Sequence, residues 1–442
     1  MAYGGSFVVV VALFALAACT GGGASTSSTS PDSSSTSSSE STSTTTGLDQ
    51  TSADGDDLLT FARGALLVSQ VGIDGNDRTL PLQAIDGDPA QVVFSENPDL
   101  PVELVYRLPS ATSFNAFAVA NAVVLDGRET FFRIVTVSGS DVGPDGPFSV
   151  LGQIDLSEAD IRDDGMAVFP AASGNQVVWV KVRLEAGADI GAGGTGRSRI
   201  VFSEIIGVGV QEEQPLSTGF EGVWDLRFSA RPDSPGETLE LVQDGAVITG
   251  CLEKTVIQGS VNGSIAKATG VDPATGETSS FIFVVDSDGS LAGAVAVGNR
   301  SFVARTAVPV SETVSDRCGT ASGASGVCDA PLYVNFEYDS AVIESESEQL
   351  LSDIYRILVD LQIAEIIIEG HTSSEGSEAH NLELSKARAQ AVADDLIRRG
   401  FPAGAINVVG LGESDLLVAP DNDESARAIN RRVEIVCGQA DG

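Results

Sequence analysis

The sequence predicts a multidomain fold: a β-sandwich, then a small antiparallel β-barrel or meander, then an α/β domain in β-α-β-α-β-β order. Three observations carry this. Residues 58–213 alternate apolar and polar side chains with the period of half-buried strands. Residues 216–310 are short apolar runs cut by turn residues. Beyond residue 327, apolar runs alternate with two helix-period stripes, the pattern of helices packed on a sheet.

Taken in order, residues 1–19 read as a processing signal. Phe7 to Ala18 is apolar, too short to span a bilayer as a helix, and no Lys or Arg precedes Arg63. Leu16-Ala17-Ala18-Cys19 resembles the lipobox of bacterial lipoproteins, which implies lipidation of Cys19 and membrane attachment through that lipid. Residues 20–57 are rich in Ser, Thr and Gly and too polar to offset chain entropy, so a flexible tether with a reach of roughly 35 Å is expected.

In residues 58–213, Val178, Val180, Val182 and Leu184 alternate with Trp179, Lys181 and Arg183. Phe132–Val137 and Arg199–Phe202 behave alike, and no helix-period segment competes. In residues 216–310, Leu239–Val242, Val247–Cys251, Val256–Gly259 and Phe281–Val285 are separated by Gln243-Asp244-Gly245, Val261-Asn262-Gly263 and Ser287-Asp288-Gly289. This is the punctuation of successive hairpins. Trp224, at the first strand, reads as a core plug. Residues 311–326 form a Ser-, Gly- and Thr-rich linker.

In residues 327–438, Leu350, Leu351, Ile354, Ile357, Leu358 and Leu361 share one helical face, with Ser345 and Glu348 spaced as a capping box. A second stripe, Ala389, Val392, Ala393, Leu396 and Ile397, ends at Gly400, and its helix is expected to begin near Ser385. Between the apolar run Ile366-Ile367-Ile368 and this helix lies a polar loop, Gly370-His371-Thr372-Ser373-Ser374-Glu375-Gly376. Free backbone N–H groups and the helix dipole favour an anion there, and Arg388 adds a fork suited to a carboxylate.

This C-terminal stretch resembles the OmpA-like peptidoglycan-binding domain. The motifs follow that family's order: Val334–Ser340, Glu369-Gly370-His371-Thr372, Asn381–Ala389, Val409–Ser414 and Asn430–Ile435. The resemblance implies a non-covalent site for a diaminopimelate-type stem peptide, assigned to Thr372, Ser373, Glu375, Asn381, Arg388 and Arg431. The family places an Asp after the His-Thr pair, where this chain has Ser373. Glu375 or Glu378 then stands in for the missing carboxylate, or Ser373 gives a weaker neutral hydrogen bond. Asp339 is expected to set the loop after the first strand, and Arg431 and Arg432 to be partly structural. Residues 58–213 are similar to discoidin-like, galactose-binding-like domains in the order of their core strands, which implies a jelly-roll-like sandwich and a glycan partner. Residues 216–310 faintly resemble lipocalin-like barrels.

Composition bounds the rest. The chain has 442 residues, 25 basic and 62 acidic, a formal charge of −37 that argues against nucleic-acid binding. Only four residues are Lys: Lys181, Lys254, Lys267 and Lys386. Besides Cys19 there are Cys251, Cys318, Cys328 and Cys437, which in an exported chain suggest disulfides. Three pairings are possible, of which Cys328–Cys437 with Cys251–Cys318 is favoured. No Cys-x-x-Cys occurs, so no metal or other cofactor is expected. The only His residues are His371 and His380, and no phosphate loop follows a strand, so an enzyme is not expected. The expected function is a lipid-anchored cell-envelope protein that grips peptidoglycan and displays β domains. The alternative is an adhesin or glycan-binding protein in which the C-terminal domain is only an attachment module.

Overall fold

The computed structural model describes residues 56–73, 79–87, 93–96, 101–120, 129–156, 166–186, 199–229, 231–286, 288–298, 300, 302–315, 327–328 and 330–438. Cys19, Cys318, the signal, nearly all of the tether and most of the 311–326 linker lie outside the described residues.

Residues 66–211 build a nine-stranded sheet around Val102–Ala120, a strand of 19 residues. Its first half pairs with Leu66–Val71 and Val177–Ala186, and its second half with Met166–Pro170 and Ile205–Gln211. Register shifts at Arg107/Thr112 and Phe114/Ala116 mark where partners change, as bulges that bend a strand do. Glu129–Ser140 pairs with Val177–Ala186 and, in parallel, with Arg199–Phe202. Tyr106, Phe117, Phe132, Leu104 and Leu184 fill the core. The region is not β throughout as expected, because a helix forms at Thr79–Gln83 and a 3-10 turn at Phe61–Arg63.

The middle region is a closed barrel of eight antiparallel strands, Gly222–Phe228 through Val303–Pro309, with the last strand pairing the first. Tight turns set its register: Asp244 faces Val247 across Gly245, whose φ is +61°. Alternate residues such as Leu239 and Leu241, Ala266 and Ala268, Phe281 and Phe283 point into one core. Trp224 is buried among them and donates Nε1–H to the Phe220 carbonyl at 3.3 Å, so it is a core plug.

The C-terminal sheet runs Pro331–Leu332, Val433–Cys437, Ile366–His371, Ile406–Gly412, with only the last pair parallel. Helices Glu348–Asp360 and Glu378–Arg399 bury their apolar stripes against it. Three expectations need correction. The second helix starts at Glu378, not near Ser385, because Ser377 caps it by accepting from the His380 N–H. The Ser345 capping box is replaced by a 3-10 turn, Ser345–Ser347, leading into the first helix. The order is β-α-β-α-β-α-β, because Asp423 caps a further helix, Glu424–Asn430, before the last strand. At seven residues that helix is too short for a periodic stripe to show in sequence. Cys328–Cys437 is a disulfide with a Cα–Cα distance of 5.3 Å. Cys251 is also disulfide-bonded.

This unforeseen helix lies where the three regions meet. Its Ala426, Ala428 and Ile429 share a buried cluster with Ala62 and Leu66 of the first region and Ile265, Ile282 and Val284 of the barrel. The Gly87 carbonyl accepts from Glu424 N at 3.1 Å and from Arg427 Nη2 at 3.0 Å. Tyr333 N donates to Ser260 Oγ at 2.9 Å, and Ala246 N to the buried Asp353 carboxylate at 2.9 Å.

Two outcomes are expected. Replacing both Cys328 and Cys437 by Ser opens a loop with a sequence separation of 109. In the chain-entropy picture this lowers unfolding free energy by about 4–5 kcal/mol, read by denaturant titration. A Cβ on Gly87, whose φ is +81°, would lie 2.0 Å from Glu424 Cβ. Gly87→Ala is therefore expected to cost about 1–3 kcal/mol and to raise the proteolytic sensitivity of the junction.

Candidate functional site

Two strand glycines set the site. A Cβ on Gly370 would meet the Ser385 carbonyl at 2.1 Å, and one on Gly410 would meet Lys386 N at 2.6 Å. Their absence lets the Glu378–Arg399 helix lie directly on the sheet. Its buried face then presents Asn381, Ser385 and Arg388, spaced four and three residues apart along one stripe.

Each has a separate task. Ser385 Oγ accepts from Gly412 N at 2.9 Å and pins the neighbouring strand end. Asn381 Nδ2 donates to the Ser373 carbonyl at 3.3 Å and also to Glu413, holding the loop after Ile366–His371. Arg388 donates Nε–H to the Ser340 carbonyl at 2.9 Å, and its guanidinium lies 5.1 Å from the Phe336 ring centre. Burial, with Arg431 nearby, pushes the Arg388 pKa down to about 10. Among the described residues no carboxylate comes within 4.0 Å of it. A buried cation in this state is poised to receive an anion.

The loop is held from its other side as well. Asp421 accepts from Ser374 N at 2.9 Å and from Asn430 Nδ2 at 3.0 Å, while Asn430 Oδ1 accepts from Leu417 N and Val418 N. His380 Nε2 lies 2.7 Å from Asp339 Oδ1, tying the helix start to the 337–340 loop; Asp339 itself has φ +48°. Asn430 thus braces the loop behind the cleft, while Asp339 lines the cleft and ties the 337–340 loop to the helix start.

Arg388, Thr372, Ser373, Glu375, Asn381 and Arg431 all line one cleft of about 490 Å³. Its floor is therefore made of all six residues assigned from the sequence. Glu378 is not part of the lining, whereas Glu375 is, with its carboxylate 4.0 Å from Arg427. Arg431 differs from Arg388 in that its charge is taken: Glu424 pairs with Arg431 and, at 3.1 Å, with Arg427. Burial alone would raise the Glu424 carboxyl, but Arg431 and Arg427 pull it down to about 2. Arg432 is turned away, donating to Glu434 at 2.6 Å.

One wall of the cleft was not visible in sequence. Asp56, Asp57 and Arg63 come from the first region and Lys267 from the barrel, so the walls are shared by all three regions. Nothing local marks these residues; the junction alone brings them in. Glu369, His371 and Glu434 place one ligand atom each within 4.8 Å of one another. Arg432 already neutralises Glu434, and burial with Arg432 nearby drives the His371 pKa down to about 3. This trio is thus served by an internal cation.

The Glu424 contribution follows a definite sign. Its folded pKa lies below the ordinary 4.5, so its stabilisation is present above about pH 4.5 and is lost as pH falls towards about 2. Glu424→Gln is expected to lower stability by about 3 kcal/mol at pH 7, with the gap to wild type closing between pH 4.5 and 2 in calorimetric melts.

Residues 335–431 match the OmpA family model. Outer membrane protein A of Klebsiella pneumoniae is 37% identical over 112 residues, 23% of this chain and 33% of that protein. The outer-membrane lipoprotein YfiB of Pseudomonas aeruginosa is 38% identical over 94 residues, 21% of this chain and 55% of that protein. Among solved structures, the peptidoglycan-associated lipoprotein from Burkholderia pseudomallei is 30% identical, covers 24% of this chain and 88% of its own, and has a TM-score of 0.22. The chain spans about a quarter to a half of the length of the curated relatives it matches. The C-terminal part of this multidomain, strand-rich chain is an OmpA family domain.

Proposed function

We propose that this chain is a cell-envelope protein that holds peptidoglycan non-covalently through its C-terminal cleft, gripping a diaminopimelate-type stem peptide. The observation that carries this reading is the buried Arg388 guanidinium, which lines the cleft and, among the described residues, has no carboxylate within 4.0 Å. A free peptide carboxylate supplies what is missing, through a charged hydrogen bond worth about 1.5–3 kcal/mol. The relatives support the same setting, since they include outer membrane proteins and an outer-membrane lipoprotein.

Within this reading Arg388 binds a carboxylate, the 372–376 loop supplies backbone donors, and Glu375 or the Ser373 hydroxyl meets the ligand's ammonium. Cys19 carries the lipid that fixes the protein to a membrane, and residues 20–55 give it reach towards the wall. Both β regions are carried outside the anchor; the 58–213 region is the place for any glycan contact.

Co-sedimentation of the purified chain with diaminopimelate-type peptidoglycan tests this. Wild type is expected to pellet with the wall, Arg388→Ala to remain in solution, and Ser373→Asp to bind about tenfold more tightly. Equal pelleting of wild type and Arg388→Ala would remove the basis of the proposal.

A further inference from the structure

Lys267 sits in the barrel strand Ile265–Val271, far from the C-terminal motifs in sequence, yet lines the same cleft as Arg388. The cleft is unusual in its charges. Five of the chain's 25 basic residues line it (Arg63, Lys267, Arg388, Arg427 and Arg431), against six of its 62 acids. Basic groups are concentrated there in a chain that otherwise carries more than two acids for each base.

Three of the five are spoken for. Arg63 pairs with Asp56 and lies 3.7 Å from Glu344, and Arg427 and Arg431 share Glu424. Lys267 and Arg388 are left with no carboxylate within 4.0 Å among the described residues. The two acids that act on Lys267 from a distance, Glu424 and Glu344, are those already held by other arginines. Burial, with Arg63 and Arg431 close by, accordingly pulls the Lys267 pKa down to about 7. Lys267, Arg388 and Arg431 line the same cleft, and Arg431 lowers the pKa of both other cations.

One unpaired cation calls for one anion. Two in a cleft of about 490 Å³, a volume that holds a short peptide, call for a ligand with two anionic groups. We propose that the cleft is a composite site for a peptide bearing two carboxylates, one received by Arg388 of the C-terminal domain and the second by Lys267 of the barrel. Rested on the wall-peptide reading, this makes the barrel part of the binding site. Specificity for the charge state of the peptide, carboxylate against carboxamide, is then read by Lys267. A neutral carboxamide there offers the Lys267 amine only an uncharged hydrogen bond in place of a charged one, and the site discriminates against it.

Calorimetric titration of the full chain with L-alanyl-γ-D-glutamyl-meso-diaminopimelate, and with that peptide amidated at the glutamyl carboxylate or at both diaminopimelyl carboxylates, tests this. Lys267→Gln is expected to weaken the unamidated peptide about tenfold or more, and Lys267→Arg to retain most of the affinity. One of the two amidated peptides is expected to bind wild type and Lys267→Gln equally, because the group that meets Lys267 is gone. Unliganded Lys267→Gln is expected to melt no lower than wild type, since an uncompensated charge has been removed. The proposal is overturned if the peptide binds wild type, is lost in Arg388→Ala, and binds Lys267→Gln unchanged; the wall reading then stands alone. It is equally overturned if Lys267→Gln and Lys267→Arg both melt lower and weaken all three peptides alike, the mark of a structural residue. No binding of any peptide by wild type sinks this inference and the wall-peptide reading together.

Discussion

The Arg388 guanidinium is held out of water with no carboxylate within 4.0 Å among the described residues, and the C-terminal domain is arranged to keep it so. A lone cation in a poorly hydrated place is unfavourable unless something compensates it. Here the compensation is partial: the Ser340 carbonyl takes Nε–H, and the Phe336 ring faces the guanidinium. The helix that carries Arg388 comes that close only because Gly370 and Gly410 lack side chains where it crosses the strands. The same approach brings Asn381 to the loop and Ser385 to the strand end. Carrier helix, loop and cleft floor thus depend on one close contact between helix and sheet.

A second theme is how charge is distributed. At −37 the chain repels anions at long range, yet the anion-seeking groups are drawn together in one concavity. Glu424 is central to that arrangement. By pairing with both Arg427 and Arg431 it engages two cations that would otherwise compete for a ligand, while Arg388 and Lys267 have no carboxylate within 4.0 Å among the described residues. The acid lies at the start of a short helix whose other face is buried against both β regions. The electrostatics of the cleft and the docking of the three regions are therefore set by one element of seven residues.

That docking changes what the β regions are for. The barrel packs Phe220, Trp224, Phe281 and Phe283 into its interior. Its outer surface, by contrast, contributes a wall to the cleft, as does the segment from Asp56 to Arg63. Gly87, where a side chain would strike Glu424, shows how closely the first region approaches.

Read alone, the sequence determined the elements whose pattern repeats over many residues: the alternating strands, the hairpin turns, the two long helices and the motif-bearing loop with Arg388 and Asn381. It also foresaw the Cys328–Cys437 bridge. These are local signals, fixed by side-chain period and turn chemistry. It did not show the Glu424–Asn430 helix, too short to display a period, or the true start at Glu378, set by a Ser377 cap inside a loop rich in Ser. Only the tertiary structure decided which arginines are paired and which are free, because pairing depends on distances between residues remote in sequence. Arg431 and Arg388 look alike in the motifs; Glu424 separates them. Lys267 carries no motif, and its place beside the cleft exists only because buried apolar side chains from three regions share one junction.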